Sequence, residues 1–278
     1  MIVNETNAEY HGNREAISKS RLANMSVCPA YFKWCEENPQ EMSQDLLIGS
    51  AFHKLVLEPD TFEDEFMVAP SYDRRTKEGK LAYNHLMERL VGVLHLVTQE
   101  QYDTICGMRD SIMMNKYARQ LIKGNREQSI YFTDELTGEA CKCRPDVWRL
   151  VGKDRAVIID LKSTRSARSE SFMKDIVDYH YDLQTYMYRL GVSLETGIPI
   201  ENIDFVFIPV EKKPPYLINV FQADTFILQR GEQLFRRFIG EYHDCRQTGN
   251  WYGLNGKFDT INTITLPHYL LKEIQSNG

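Results

Sequence analysis

Two short stretches of this 278-residue chain hold charged residues in a pattern that can do chemistry. The first is Pro145–Asp146 and the second is Asp160–Leu161–Lys162. AVIID (156–160) is an apolar run rich in strand formers, and GKD (152–154) before it is a turn signal. Residues i and i+2 of a strand share a face, so Asp160 and Lys162 point together. If the hairpin register brings Asp146 opposite, three charged groups converge, two of them acidic. A lone charge ending an apolar strand is costly, and a divalent cation between the carboxylates offsets that cost. Mg²⁺ takes one or two carboxylates together with waters and phosphate oxygens. A lysine beside it can orient a water nucleophile or help deprotonate it. The plain alternative is a surface hairpin with ordinary salt bridges.

Two further positions fit the same chemistry. His53, in LLIGSAFHKLVLEP, lies beside a helical stripe of Ile48, Phe52, Leu55 and Val56. Gly49 one turn earlier lets another backbone come close. Gln184 and Tyr188, in YHYDLQTYMYRL, are four apart and share a helix face. Taken singly, the histidine reads as an ordinary core residue and the Gln–Tyr pair as the polar edge of an amphipathic helix.

The elements that must position these groups follow from periodicity and breakers. Helices are expected over 18–37, opened by Ser18 or Ser20, over 45–58, stopped by Pro59, and over 76–92 and 98–114. The texture then changes to a three-stranded meander over 128–134, 139–151 and 156–160. A helix over 168–194, strands over 205–211 and 216–222, and a helix over 224–247 capped by Asp224 complete the pattern. The organisation expected is an N-terminal tail (1–17), a helical part carrying His53 (18–120), a catalytic core (121–250) and a C-terminal extension (251–278), all in one structural domain. The fold class is α/β (α+β), with a mixed central sheet flanked by helices.

Composition sets outer limits. Hydrophobic residues are 42% and charged residues 26%, as in a globular protein able to bury a core. The net charge of −6 does not announce a nucleic-acid binder, but a local basic cleft can act under an acidic exterior. The polar opening has no signal-peptide pattern, and no apolar run approaches the roughly 18 residues of a membrane span. A cytoplasmic protein with reduced thiols is therefore expected. No P-loop, dinucleotide fingerprint or nucleophile elbow occurs.

Gly49-x-x-x-His53, Pro145–Asp146, Asp160-x-Lys162 and Gln184-x-x-x-Tyr188, in this order, resemble the RecB-type branch of the PD-(D/E)xK nucleases. Five blocks, HKLVLEPDTFEDEF (53–66), YDRRTKEGKLAY (72–83), TGEACKCRPDVW (137–148), IIDLKST (158–164) and YDLQTYMYR (181–189), look closer still to the RecE-like (exonuclease VIII) enzymes. That resemblance spans about residues 18–250 and implies a restriction-endonuclease-like core. It implies His53, Asp146 and Asp160 as ligands of Mg²⁺, or of Mn²⁺ in its place, with the Leu161 carbonyl completing the site. Lys162 would assist the water, and Gln184 and Tyr188 would steady the site or touch the DNA backbone. Glu127 falls where relatives often place another acid, although NREQS reads equally well as a solvated turn. Arg74, Arg75, Lys77 and Lys80 are candidates for binding phosphates near a duplex end, and Arg21 for a 5′-phosphate by analogy with lambda-type exonucleases.

The activity implied is exonuclease digestion of double-stranded DNA from its ends, 5′ to 3′, to mononucleotides and a 3′ overhang for strand-annealing recombination. The partners implied are a RecT-type annealing protein and further copies of the chain in a ring, a tetramer by resemblance. Alternatives are an endonuclease or single-strand-specific enzyme on the same fold, or a non-catalytic DNA-binding scaffold. Cas4-like and AddB-like relatives hold an iron–sulfur cluster through one upstream and three clustered downstream cysteines. Here Cys28 could mimic the first, but Cys245 alone lies after the motif. Cys141 and Cys143 supply too few ligands for structural zinc. Neither a cluster nor zinc is expected.

Overall fold

A computed structural model of the chain describes residues 1–39, 42–69, 75–89, 95–258, 261–267 and 270–271. The N-terminal part holds β1 (Ile2–Val3), α1 (Asn7–Gly12), β2 (Ile17–Ser18), α2 (Lys19–Leu22), α3 (Pro29–Glu37) and α4 (Gln44–Leu57). There follow α5 (Phe62–Glu65), β3 (Phe66–Val68), α6 (Lys77–Arg89), β4 (His95–Val97), α7 (Gln99–Met114) and α8 (Lys116–Leu121). The strand-rich middle is β5 (Asn125–Arg126), β6 (Ser129–Thr133), β7 (Ala140–Cys143), β8 (Val147–Val151) and β9 (Arg155–Thr164). The rest is α9 (Ser169–Asp178), α10 (Tyr181–Thr196), β10 (Ile203–Glu211), β11 (Phe221–Gln222) and α11 (Thr225–Thr248). No helix among the described residues is long and apolar enough to cross a membrane.

The strands form a mixed α/β architecture of two main sheets, ordered β1-β6-β7-β2 and β11-β10-β9-β8-β5, and a small pair β3-β4. β9 and β10 run parallel, which requires a long crossover, and α9 with α10 supplies it. Both strands carry apolar runs, Ala156–Ile159 and Phe205–Ile208, because both faces are covered there. Alternation sends Ala156, Ile158, Phe205 and Phe207 to a cluster with Leu183 and Met187 of α10 and Phe235 and Phe238 of α11. It sends Val157, Ile159, Leu161, Val206 and Ile208 to a second cluster, with Phe52 and Val56 of α4 and Ile105 and Met108 of α7.

Several expectations are corrected here. The helix expected over 18–37 is interrupted by a 3-10 turn at Ala23–Ser26, and α3 restarts with Pro29 at its first position, where a missing N–H costs nothing. The strand expected over 139–151 is two strands in different sheets, because Pro145 cannot donate to a ladder. The helix over 168–194 breaks at His180, whose φ of 51° lies in the left-handed region. The strand over 216–222 shrinks to β11, with an isolated bridge at Ile218.

The expected N-terminal tail is part of the fold. Ile2 and Val3 pair with β6, Thr6 and Glu9 form a capping box on α1, and Ile17–Ser18 pair with β7. Lys142, 1% exposed, donates to the backbone carbonyls of Tyr10 and Asn13 and fastens this arm from below.

Candidate active site

The corner Arg144–Pro145 carries the chain from one sheet into the other and leaves Asp146 at the head of β8. The β8–β9 ladder pairs Val147 with Ile159. One residue further in the same antiparallel register, Asp146 stands level with Asp160. The Leu161 N–H then donates to Asp146 Oδ2 at 2.6 Å. His53 arrives from α4, with Nδ1 3.3 Å from the same Oδ2. A Cβ on Gly49 would lie 3.1 Å from Ser163 Oγ, so the neighbour that needs this glycine is a β9 side chain rather than a backbone. Glu127, between β5 and β6, has a φ of 48° and donates its N–H to the Asp146 carbonyl at 3.2 Å. A non-glycine residue in that region is uncommon, and here it turns an acid toward the pocket.

His53, Glu127 and Asp146 each offer one ligand atom, and these atoms lie within 4.8 Å of one another. They line a cavity of about 330 Å³ together with Leu161, Lys162, Tyr181 and Tyr188. Burial, then the charge of Asp146, pushes Glu127 up to about 7. Burial alone would push the His53 imidazole down, but Asp146 outweighs it and raises His53 to about 8. Asp146 is held below the usual carboxylate range: burial works against ionisation, and His53, Lys162 and the Leu161 N–H overcome it. A buried Asp146, a half-buried Glu127 and one imidazole converge on the cavity. Their oxygen-rich donor set fits a divalent cation.

Asp160 and Lys162 do share a face, but they meet each other. Lys162 Nζ contacts Asp160 Oδ2 and donates to Gln184 Oε1 at 3.0 Å. Gln184 Nε2 in turn donates to Asp160 Oδ1 at 2.5 Å. Burial, with Asp146 behind it, pushes Asp160 up to about 6 despite the lysine. For Lys162 burial lowers basicity, yet Asp160 more than compensates and its pKa is raised, so the head stays charged. Lys162 also sits 4.4 Å from the centre of the Tyr181 ring. Tyr188 forms part of the wall, and burial pushes its phenol well up. Thus Glu127, rather than Asp160, completes the close cluster with His53 and Asp146.

The basic candidates fare differently. Arg21 donates to both Glu36 oxygens and to the carbonyls of Arg14 and Ala16. Its guanidinium is engaged inside the fold, so a role in gripping a 5′-phosphate loses its donors. Arg74 lies outside the described residues. Arg75, Lys77 and Lys80 are exposed at the start of α6 and are not among the residues lining the cavity.

Two contributions escaped the sequence reading. Asn7, Tyr10 and His11 of the N-terminal arm line the cavity, but no local pattern announces a wall whose strand partner is β6. Arg144 also lines it. Its place directly before Pro145–Asp146 was the available signal.

Residues 18–263 match the family described as "PDDEXK-like domain of unknown function (DUF3799)". The crystal structure of a protein from Eubacterium rectale, provisionally designated an exonuclease, aligns over 97% of this chain and 98% of its own, with a TM-score of 0.63 and 15% identity. It shows the same fold. A second solved chain, SSO0001, is 13% identical over 82% of this chain and 81% of its own, at a TM-score of 0.34. Among curated proteins no match is found.

Proposed function

This chain belongs to the PDDEXK-like family, and we propose that it is a divalent-cation-dependent deoxyribonuclease that digests double-stranded DNA from its ends. The observation that carries this reading is the convergence of His53, Glu127 and Asp146 on a cavity that also receives Lys162. The exonuclease designation of the Eubacterium rectale protein and the resemblance to RecE-like enzymes support action at ends. On the same resemblance, digestion runs 5′ to 3′, releases mononucleotides and leaves a 3′ overhang for a RecT-type annealing protein. A ring of copies, a tetramer, would keep the enzyme on its substrate.

His53, Glu127 and Asp146 would hold the cation, with carboxylate oxygens suited to Mg²⁺ or Mn²⁺ and the imidazole favouring Mn²⁺. When bound, such a cation draws charge from the phosphodiester and offsets the negative charge that builds on it during attack. Lys162, kept charged by Asp160, donates from Nζ to the attacked phosphate or to the incoming water. Asp160 and Gln184 fix that head through Oδ2 and Oε1. Tyr188 keeps its proton and shapes the wall. Arg75, Lys77 and Lys80 contact phosphates away from the centre, which makes binding fall steeply with salt.

The test sets linear duplex DNA beside a closed circle, with Mg²⁺ or Mn²⁺, with and without EDTA, for the wild type and Asp160→Ala. Loss of the linear DNA alone, stopped by EDTA and by the substitution, is expected. Cutting of the circle makes the enzyme an endonuclease. DNA binding with no cutting under either cation leaves a scaffold in place of an enzyme.

A further inference from the structure

Arg144 is unusually committed for a residue beside a candidate metal centre. Its side chain is 8% exposed. Nε donates to Glu127 Oε2 at 2.8 Å. One terminal nitrogen donates to Ser129 Oγ at 2.9 Å and to the Glu5 carbonyl at 3.1 Å. The guanidinium carbon lies 5.9 Å from the centre of the Tyr10 ring. These contacts join three separate pieces: the turn holding Glu127, the start of β6, and the N-terminal arm.

We propose that Arg144 is a positioning residue for the metal centre, gripping Oε2 of Glu127 so that Oε1 faces the cation while the same guanidinium locks the N-terminal arm as a wall of the cavity. Three physical points lead there. Glu127 is a long side chain on a backbone turn, and among the described residues only Arg144 hydrogen-bonds its carboxylate. Two acids and a histidine packed this closely need a countercharge that does not occupy the ligand positions, and Arg144 supplies it from behind. A guanidinium presents its donors in a rigid planar fork, which a lysine cannot reproduce. The arm carries Asn7, Tyr10 and His11 to the cavity, so one side chain sets both the third ligand and the opposite wall.

This inference rests on the cation-binding part of the reading above, and its test contains no nucleic acid. The full chain is titrated with Mn²⁺ alone by calorimetry, as wild type, Arg144→Ala, Arg144→Lys, Glu127→Gln and the Arg144→Ala/Glu127→Gln double variant. Outer partners of metal ligands are worth about 10–100-fold in metal affinity, and Arg144→Ala should lose that much. Arg144→Lys should recover part of it. The double variant should bind no more weakly than Glu127→Gln, because Arg144 acts through Glu127. If Arg144→Ala does not fold by circular dichroism, the Arg144→Lys and Glu127→Gln cycle carries the same comparison. Wild-type affinity in Arg144→Ala, or losses that simply multiply in the double variant, overturn the proposal. Failure to cut DNA sinks the nuclease reading and leaves this result standing; a wild type that binds no Mn²⁺ overturns both.

Discussion

One half of the cavity leaves its ligand atoms facing each other, while the other half is closed on itself. His53, Glu127 and Asp146 bring three ligand atoms within 4.8 Å of one another at the cavity. Asp160, Lys162 and Gln184 engage one another through an ion pair and two hydrogen bonds. Both halves hang on the same stretch, Asp146 to Lys162, so the difference does not come from the local motif. It comes from what packs against each side. α4 and the turn at Glu127 bring an imidazole and an acid to Asp146, whereas α10 brings a neutral amide to Asp160. A buried charged group needs a partner: Lys162 is that of Asp160, while His53 and Arg144 stand beside Asp146 and Glu127 and leave ligand atoms facing the cavity. On the function proposed above, the two carboxylates of one motif do different jobs: Asp146 would bind the cation, and Asp160 would hold the lysine.

The sharpest way to break this division is to remove each acid or base and read cation binding and cleavage separately. Asp146→Ala should abolish both, with a loss in turnover on the order of 10⁴ or more, as for members of a catalytic unit. Lys162→Ala should reduce cleavage by about 10²–10⁴ yet leave the Mn²⁺ isotherm unchanged. Gln184→Ala should cost about 10–100-fold in turnover by letting the Lys162 head wander, again with unaltered Mn²⁺ affinity. Weakened Mn²⁺ binding in either of these last two variants would mean that Asp160 is itself a ligand and the halves are one site. The smallest effect concerns the arm. Lys142→Met removes one buried and one half-buried hydrogen bond and should cost about 1–3 kcal/mol in a denaturant titration. Limited proteolysis should then cut within residues 1–14 before any other segment, and protection equal to wild type there would show that the arm is held without Lys142.

The parts of this arrangement that the sequence made legible are those set by local rules. Asp160 and Lys162 share a face because strand alternation is a two-residue property, and Asp146 comes level because one turn fixes the register. α4 was readable from its apolar stripe and α11 from its Asp224 cap. Glu127 was legible only weakly: NREQS has the composition of a solvated turn, and its inward aim depends on a left-handed φ and on Arg144. The break at His180 has no glycine to mark it, and alternation continues straight across Pro145, which hid the change of sheet. The arm could not be read at all, since a two-residue strand carries no period and its partners Ile130 and Lys142 are far along the chain. Arg21 was a candidate by analogy with lambda-type exonucleases alone, and Glu36, which engages its guanidinium, lies on another helix.

The division of labour in the cavity is tested most directly by calorimetric titration of Mn²⁺ into the wild type, Asp146→Ala and Lys162→Ala, without nucleic acid. A wild-type site that vanishes in Asp146→Ala and persists unchanged in Lys162→Ala is the expected result. Binding that survives Asp146→Ala, or that is lost with Lys162, contradicts the account.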